Sequence, residues 1–383
     1  MKRKNKIGID CRLSGSRHAG IGRYIENMVI HLVFLEFDWQ WVLFFYDKNQ
    51  ANIFWQKLIF FGSAKENFKK IISKIKIVYL PIKHYSLREQ LVLPKIFTQE
   101  KLDILHVPHF NAPIFYSGKL VVTIHDLLWH EMRGAQVTTL PIWQYYLKYW
   151  FYLLVVKRVV KKSQAIIVPA LTTKKTILKF YPQAEKKIHL IKEGVFVVRK
   201  KNLQKEDLNL PQKYLLYVGS LYPHKNLNFI LEILSSIEYQ LVVVTTRNAF
   251  LTQFKEKIKQ MNLNKKIMIL EKITDQNLIV CYQRAQALIQ PSLSEGFGLT
   301  TIEAMYYKTL ILASNIKVFK EICGPIPFYF NPKDKTSFLF ALKQLENANR
   351  SNKIAQGLEW VKQYDFVKMG QQILNLYHQI FHE

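Results

Sequence analysis

Short apolar runs alternate with helical stretches along almost the whole chain, and this pattern occurs twice. In the first half we expect strands over 6–10, 40–46, 76–80, 104–107, 120–124, 165–168 and 188–191. In the second half we expect strands over 214–218, 240–245, 267–270, 287–290 and 309–313. Strands separated by helices pair in parallel, with helices on both faces of the sheet. The sequence therefore predicts an α/β protein with two doubly wound, Rossmann-like domains.

The domain boundaries follow from a polar, strongly charged stretch at 199–207, which is typical of a linker. We expect a first domain over 1–198, a second over 208–365, and a terminal amphipathic helix over 366–383. A chain of 383 residues is long enough for both domains to bury cores of their own. We expect the domains to face each other across a cleft at the carboxyl ends of their strands, where such folds bind ligands.

The positive charge is concentrated in the first half. Residues 1–200 carry 33 Lys and Arg against 13 Asp and Glu, a net charge of +20 out of the chain's +27. This asymmetry indicates an anionic partner, either nucleic acid or a membrane surface, although solvated lysines would give the same composition. The aromatic segment 141–152, followed by the basic run 157–162, favours an anionic membrane surface. A core helix with a basic last turn is the alternative, and no nucleic-acid-binding motif is present.

The longest apolar run, 149–156, covers eight residues, whereas a membrane span needs about 20. The basic start lacks the apolar core of a signal peptide. The three cysteines, Cys11, Cys281 and Cys323, show no metal-binding spacing. We therefore expect a cytoplasmic protein, peripheral on the inner face of the cytoplasmic membrane.

A glycine-containing loop joins the apolar run 287–290 to a helical stretch over 299–306. A helix that opens on glycine presents backbone N–H groups and a positive dipole end, which suit phosphate oxygens. Two carboxylates flank this loop, Glu295 before the helix and Glu303 within it. An anion site between two acids predicts a ligand with both phosphates and hydroxyls, that is, a sugar nucleotide. A glycine turn that serves geometry alone is the alternative.

Two further glycine loops precede helices. The loop after 214–218 contains Gly219, Ser220 and Lys225, and a lysine placed there can reach a phosphate as a point charge. Near the amino terminus, Gly20 and Gly22 also open a helix. They lie too far from the preceding strand, and lack the third glycine, for a dinucleotide-binding fingerprint.

Three histidines, His106, His109 and His125, lie at or just after the ends of strands in the first half. His125 and Asp126 have the composition of a general base with its orienting carboxylate. Adjacent residues on a strand point to opposite faces, however, so we do not expect them to bond to each other. The three histidines also have the composition of a zinc site, which we do not expect to form.

The string EGFGL at 295–299, the second Glu eight residues after the first, and the following Ala304 and Met305 resemble the family 4 retaining glycosyltransferases of the GT-B fold. The resemblance covers nearly the whole chain. It implies a nucleotide-sugar donor as substrate, no metal or other cofactor, and a terminal helix that packs back on the first domain. The catalytic residues that it implies are Glu295, His125 and Lys225. The donor-binding residues that it implies are Gly22, Ser220, Phe297, Gly298, Leu299 and Glu303.

The resemblance also implies a role for each charged group. Glu295 orients the hydroxyls of the donor sugar, Glu303 holds the ribose, and Lys225 binds the diphosphate. Retention then follows from front-face attack, in which the leaving diphosphate accepts the acceptor proton, and not from a carboxylate nucleophile. His125 contacts the sugar hydroxyls and the reaction centre. Ser220 stands where many members have an arginine, so the second phosphate cation is either absent or supplied by Arg247.

The strings at 20–24 and 222–226 look most like those of bacterial mannosyl- or rhamnosyltransferases of surface-polysaccharide assembly, such as lipopolysaccharide biosynthesis. We expect GDP-mannose as the donor, and a glycan or polyprenyl-linked acceptor. A transferase that uses a UDP-hexose or dTDP-rhamnose is the alternative within the class. A non-catalytic GT-B protein that binds anionic lipid or glycan is the alternative outside it.

Overall fold

A computed structural model describes residues 5–15, 18–63, 67–132, 134, 141–195, 208–245 and 250–382. The chain forms two compact units. The first contains Met1–Leu127, Ile142–Gly194 and Asp365–Glu383, and the second contains Leu128–Pro141 and Val195–Tyr364.

The strands are β1 (Lys6–Asp10), β2 (Gln40–Phe45), β3 (Ile75–Tyr79), β4 (Ile104–Val107), β5 (Leu120–Thr123), β6 (Ala165–Val168), β7 (Ile188–Leu190), β8 (Tyr214–Val218), β9 (Gln240–Thr245), β10 (Ile267–Glu271), β11 (Ala287–Gln290), β12 (Leu310–Ser314) and β13 (Phe328–Phe330). The helices are α1 (Ala19–Leu35), α2 (Lys48–Gly62), α3 (Phe68–Ile72), α4 (Leu87–Gln99), α5 (Leu128–Glu131), α6 (Ile142–Lys162), α7 (Leu171–Phe180), α8 (Leu227–Leu234), α9 (Leu251–Gln260), α10 (Asp275–Arg284), α11 (Leu299–Tyr306), α12 (Lys317–Cys323), α13 (Lys335–Glu346), α14 (Arg350–Val361) and α15 (Phe366–His382).

Each unit is built on one parallel sheet. The first sheet has the strand order β3-β2-β1-β4-β5-β6-β7, and the second has the order β10-β9-β8-β11-β12-β13. In each sheet the order reverses once, between β1 and β4 in the first and between β8 and β11 in the second. The predicted pair of doubly wound α/β domains is therefore confirmed, although β13 and several helices were not predicted.

The central strands explain why the apolar runs could be recognised in the sequence. Every residue of β4, β5 and β6 is buried. Strands that are covered by helices on both faces are nearly continuous apolar runs, without a regular alternation of apolar and polar residues. Each fully buried aliphatic side chain contributes about 1.5–3 kcal/mol, so these runs anchor the sheet.

The carboxyl-terminal helix belongs to the first unit, where α15 packs on α1. A Cβ placed on Gly370 would lie 2.7 Å from Leu35 Cδ1, which shows how closely the two helices approach. The Tyr377 hydroxyl lies 2.6 Å from Nδ1 of His106 on β4. Helix α15 therefore packs on the first unit, next to the sheet that contains β1 and β4.

The units can be compared with the division expected from the sequence at two places. The expected linker at 199–207 lies outside the described residues. The segment Leu128–Pro141 groups with the second unit, whereas the sequence placed it in the first domain. The described part of this segment contains α5 and contributes no strand to the first sheet. Among the described helices, none is both long and apolar enough to cross a membrane.

Candidate functional site

In the second unit, the predicted site residues follow β8 and β11, the strands between which the order reverses. Ser220 and Lys225 lie in the connection after β8, and Glu295 lies in the loop after β11. The other four, Phe297, Gly298, Leu299 and Glu303, lie at the start of α11 or within it. Because the carboxyl ends of neighbouring parallel strands meet at one edge of a sheet, the fold gathers these residues where such sheets bind ligands.

Asn226 fastens the two loops to each other. It has the left-handed backbone conformation, with φ of 60°, which asparagine tolerates better than most residues. Its side-chain amide donates to the backbone oxygens of Pro291, at 3.1 Å, and Pro332, at 2.8 Å. The backbone N–H of Leu293 also donates to the backbone oxygen of His224, at 2.8 Å. The loop that carries Lys225 is therefore fixed against the loop that carries Glu295.

Lys225 and Glu295 form an ion pair, with 2.6 Å between Nζ and Oε2. Their side chains are 18% and 12% exposed, so the pair is partly screened from water. The other carboxylate oxygen of Glu295 accepts a hydrogen bond from the Ser292 hydroxyl at 2.8 Å. The sequence assigned the two charged residues to different parts of a ligand and did not predict their contact. Ser292, three residues before Glu295, was missed as a positioning residue.

Gly298 precedes α11 and has a positive φ of 90°, which side chains rarely allow. A Cβ there would also lie 2.8 Å from the Phe319 ring. The backbone oxygen of Gly298 accepts from the Thr301 hydroxyl at 2.7 Å. The side chain of Phe297 is buried edge-on against Tyr364, with 5.8 Å between ring centroids, so Phe297 can serve a ligand only through its backbone. The glycine thus sets the direction in which α11 starts.

Glu303 is buried one turn further along α11. Its Oε2 accepts a hydrogen bond from the Tyr282 hydroxyl at 2.9 Å. The Tyr282 ring stacks on that of Tyr307, with 5.7 Å between centroids. Tyr282 therefore orients the second carboxylate, a role that nothing in the sequence around Glu303 indicates.

Gly22 lies in the first turns of α1, where the helix passes directly over the loop after β1. A Cβ on Gly22 would lie 2.0 Å from the backbone oxygen of Gly15. This close approach requires a glycine at position 22, whatever ligand the loop meets. The predicted contact of Gly22 with a donor stays a prediction. Arg247, the candidate for a second phosphate cation, lies outside the described residues.

His125 is buried just beyond β5, and its orienting partner is Glu193 and not Asp126. Nδ1 donates to Glu193 Oε1 at 2.9 Å, and Nε2 lies 3.3 Å from the backbone oxygen of Pro108. Burial alone lowers the pKa of His125, but the hydrogen bond and charge of Glu193, together with the charge of Asp126, outweigh it and raise that pKa above its usual value. Because both ring nitrogens face acceptors, the geometry favours a protonated ring that donates hydrogen bonds.

His106 occupies a different environment, inside the first unit. Nδ1 lies 2.6 Å from the Tyr377 hydroxyl, and Nε2 lies 2.9 Å from the Thr123 hydroxyl. Burial, followed by the charge of His125, lowers the pKa of His106 to about 3, so its ring is neutral. Over the described ranges, no group of three or more His, Cys, Asp or Glu is arranged to hold a metal ion.

A small recess lies where the order of the first sheet reverses, between the ends of β1 and β4. Its lining residues are Asp10, Leu13, Ile25, His84, Val107, Pro108, His109 and Asn111. The fully buried Arg12 pairs with Asp10 Oδ2 and Glu89 Oε1, both at 2.7 Å. Burial raises the pKa of Asp10, but the Arg12 charge outweighs it and holds that pKa below its usual value. The recess is thus lined by a carboxylate that stays ionised and by a neutral amide.

Two family models match the chain in succession. The model described as glycosyltransferase family 4 matches residues 19–199, and the model described as glycosyl transferases group 1 matches residues 198–356. The chain belongs to glycosyltransferase family 4. The regions that the two family models match in this glycosyltransferase include every predicted site residue, from Gly22 to Glu303.

Curated relatives of this glycosyltransferase include several mannosyltransferases. It is 29% identical over 268 residues to the O-antigen chain mannosyltransferase RfbU of Salmonella typhimurium, covering 68% of this chain and 74% of the relative. It is 27% identical over 179 residues to O-antigen chain mannosyltransferase B of Escherichia coli, covering 43% and 46%. A further match, to the serotype-specific mannosyltransferase WbdA of Escherichia coli, has 31% identity over 136 residues and covers 34% of this chain and 17% of that protein.

Solved structures share the architecture of this glycosyltransferase over nearly its full length. Sucrose-phosphate synthase from Thermosynechococcus elongatus matches with a TM-score of 0.73 and 16% identity, covering 99% of this chain and 100% of that one. HepE from Anabaena, in complex with UDP and glucose, matches with a TM-score of 0.72 and 15% identity, covering 98% and 100%. At these identities the likeness shows the fold, and the GT-B fold expected from the sequence is confirmed.

Proposed function

We propose that this glycosyltransferase transfers mannose from GDP-mannose, with retention of configuration, to a glycan or polyprenyl-linked acceptor in surface-polysaccharide biosynthesis. The partly buried set of Lys225, Glu295 and Ser292 beside the start of α11 carries this proposal. The Lys225 ammonium and the start of α11 suit phosphate oxygens. The Glu295 carboxylate, which Ser292 holds in place, suits sugar hydroxyls. The mannosyltransferase relatives support the choice of mannose.

In this proposal the donor diphosphate lies at the start of α11, close to Lys225. The first N–H groups of a helix have no partner within the helix, and its dipole places a partial positive charge there. Negative charge accumulates on the diphosphate as the bond to the sugar breaks, so these groups stabilise the transition state more than the ground state. The loss of one such donor typically slows turnover by about 10²–10³. We propose that these groups replace a metal ion, and that no cofactor is required.

The carboxylate of Glu295 accepts hydrogen bonds from the sugar hydroxyls, and Ser292 keeps it in the required orientation. When the donor binds, the Lys225 ammonium bridges Glu295 and the diphosphate, since it carries three donors. In this proposal His125 supplies positive charge and does not act as a base, because both of its ring nitrogens already face acceptors, on Glu193 and Pro108. Glu303, held by Tyr282, binds the ribose.

We place the acceptor on the first unit, at the recess between the ends of β1 and β4. His84 Nε2 is buried beside this recess and has no hydrogen-bond partner among the described residues, so it can bond a sugar hydroxyl only if the recess opens on binding. Asp10 and Asn111 line the same recess. If the acceptor is lipid-linked, the reaction takes place at a membrane surface.

The donor assignment is tested with the purified full-length protein and a panel of GDP-mannose, UDP-glucose and dTDP-rhamnose. We expect GDP-mannose to raise the melting temperature most, because a ligand that binds only the folded state stabilises it by about 2.7 kcal/mol at one hundred times its Kd. A larger shift with a UDP- or dTDP-sugar would assign the alternative donor.

The catalytic assignment is tested by measuring donor hydrolysis and transfer in Lys225→Ala and Glu295→Gln. Each variant should lose about 10²–10³ in rate while it unfolds like the wild type. Lys335→Ala is the matched control, since Lys335 forms an exposed ion pair with Glu232 in the same unit, at 3.2 Å. Wild-type rates in the two site variants would contradict the assignment. Absence of hydrolysis with every donor would favour a non-catalytic binding protein.

A further inference from the structure

Helix α6 exposes apolar side chains on the face opposite to the one that it buries. The buried face consists of Tyr145, Tyr149, Tyr152, Val155, Val156, Val159 and Val160. The large apolar residues that it exposes are Ile142, Trp143, Tyr146, Leu147, Trp150 and Leu154. Trp143, Leu147 and Trp150 are each about two-thirds exposed, at 66%, 68% and 68%. Single exposed apolar residues are ordinary in soluble proteins, but a contiguous row of large ones marks an interaction surface.

The exposed residues form one stripe. Trp143, Leu147, Trp150 and Leu154 follow one another at steps of four, three and four residues, which keeps them on one side of a helix. The stripe is roughly 17 Å long at a rise of about 1.5 Å per residue. In the last two turns the same side carries Lys157, Arg158 and Lys161, all exposed. We call these seven residues the α6 surface.

Neighbouring segments also expose apolar side chains. Phe115 is exposed, in the loop that follows Ile114. The backbone oxygen of Ile114 accepts a hydrogen bond from Lys162, at the end of α6, at 3.3 Å. The backbone N–H of Ile114 donates to Gln90 on α4 at 2.9 Å. Helix α4 exposes Leu87 and Leu91. Phe115, Leu87 and Leu91 are thus further exposed apolar side chains of the first unit, on segments that hydrogen bonds link to the end of α6.

We propose that the α6 surface docks this protein on an anionic lipid membrane, with the helix lying in the plane of the interface. The buried face of α6 is held by the first unit, so the helix presents its apolar stripe sideways and does not insert end-on. Indole rings prefer the headgroup layer, where one edge is apolar and the other is wet. The three basic residues would then lie beside the lipid phosphates.

Charge argues for lipid over a second copy of the chain. Each copy carries a net charge of +27, and the first 200 residues contribute most of it, so two such surfaces repel each other. An anionic membrane complements both parts of the α6 surface, the apolar stripe and the basic end. This docking does not depend on which sugar the enzyme transfers.

The test is co-sedimentation of the full-length protein with vesicles of phosphatidylcholine alone, or of phosphatidylcholine mixed with phosphatidylglycerol. We expect the wild type to bind the anionic vesicles and to bind the neutral vesicles weakly. The double variant Trp143→Ser/Trp150→Ser should weaken binding by more than about tenfold. The triple variant Lys157→Gln/Arg158→Gln/Lys161→Gln should weaken it by about a hundredfold, and salt should reduce wild-type binding in the same direction.

Phe340→Ser is the matched control, because Phe340 is 64% exposed on α13 in the second unit and should not affect binding. Donor hydrolysis in solution should be unchanged in the tryptophan variant, which shows that the variant is folded and separates docking from catalysis. Unchanged vesicle binding in that variant, or absence of binding by the wild type, would overturn the proposal. Self-association of the wild type that the tryptophan variant abolishes, without vesicle binding, would assign the surface to a second copy.

Discussion

At the scale of single residues, the partner of each charged group decides what that group can do. His125 has the composition of a general base, yet Glu193 and the backbone oxygen of Pro108 accept from both of its ring nitrogens. A ring with two donated hydrogen bonds is stabilised in its protonated form. Lys225 and Glu295 likewise hold each other at 2.6 Å. The residue types indicated which groups can take part in the chemistry. Their hydrogen-bond and ion-pair partners determine which groups are charged and which atoms donate.

The partner of His125 leads to a pH prediction. The pKa of His125 is raised in the folded protein, so its contribution to stability is fully present below the usual value of about 6.5. That contribution is lost as the pH rises through the raised value. Glu193→Gln should lower the pKa of His125, because burial alone lowers it, and should remove this part of the pH dependence. NMR titration of the His125 ring measures the change, and an unshifted titration would contradict the pairing.

At the scale of elements, contacts between loops position the candidate residues of each unit, at the place where the strand order of its sheet reverses. Asn226 joins the connection after β8 to the loop after β11, and Gly22 allows α1 to approach the loop after β1. Both contacts depend on backbone conformation and on close packing. They explain why small or turn-forming residues occupy these positions, independently of any ligand.

Gly22→Ala tests the packing of α1. The new Cβ would lie 2.0 Å from a backbone oxygen, so the loop or the helix must move, and we expect destabilisation of more than about 1 kcal/mol together with slower transfer. Gly357→Ala is the control, since a Cβ there lies no closer than 3.5 Å to any neighbour. This control should be neutral or gain up to about 1 kcal/mol, because alanine favours a helix over glycine. Urea unfolding measures both, and equal stabilities would contradict the close approach.

At the scale of the whole molecule, the two ends of the chain complete one unit. Helix α15 packs on α1, and the Tyr377 hydroxyl lies beside His106 in the central sheet. The Trp39 ring meets that of His378 with 4.8 Å between centroids. The last helix is therefore part of the core of the first unit, although more than half of the sequence separates it from the strands it covers.

Ile373→Ala tests this arrangement. Ile373 is fully buried on α15, and its truncation should cost about 2–5 kcal/mol, as a cavity does in any well-packed core. Val367→Ala on the same helix is the control, because Val367 is 42% exposed and should change stability by less than about 0.5 kcal/mol. Denaturant unfolding followed through tryptophan fluorescence compares them. A loss of under about 1 kcal/mol in Ile373→Ala would show that α15 does not belong to the core.

The sequence by itself determined the fold class, the two sheets and the places where the candidate residues lie. Buried parallel strands are mostly apolar, and glycine is favoured where the backbone turns sharply before a helix, so both leave a local signal. The short strand β13 and the helices α2, α3, α5, α7, α12, α13 and α14 were not predicted. Helix α13 does carry a local signal, because its buried Phe338, Ala341, Leu342 and Leu345 follow helical spacing.

Only the tertiary structure decided which side chains meet. His125 and Glu193 are 68 positions apart, Lys225 and Glu295 are 70 apart, and His106 and Tyr377 are 271 apart. Such contacts depend on the order of strands in a sheet and on the path of each loop, which no local pattern specifies. The exposed stripe of α6 was likewise decided by the tertiary structure. Both of its faces are rich in apolar residues in the sequence, and only packing against the sheet determines which one stays outside.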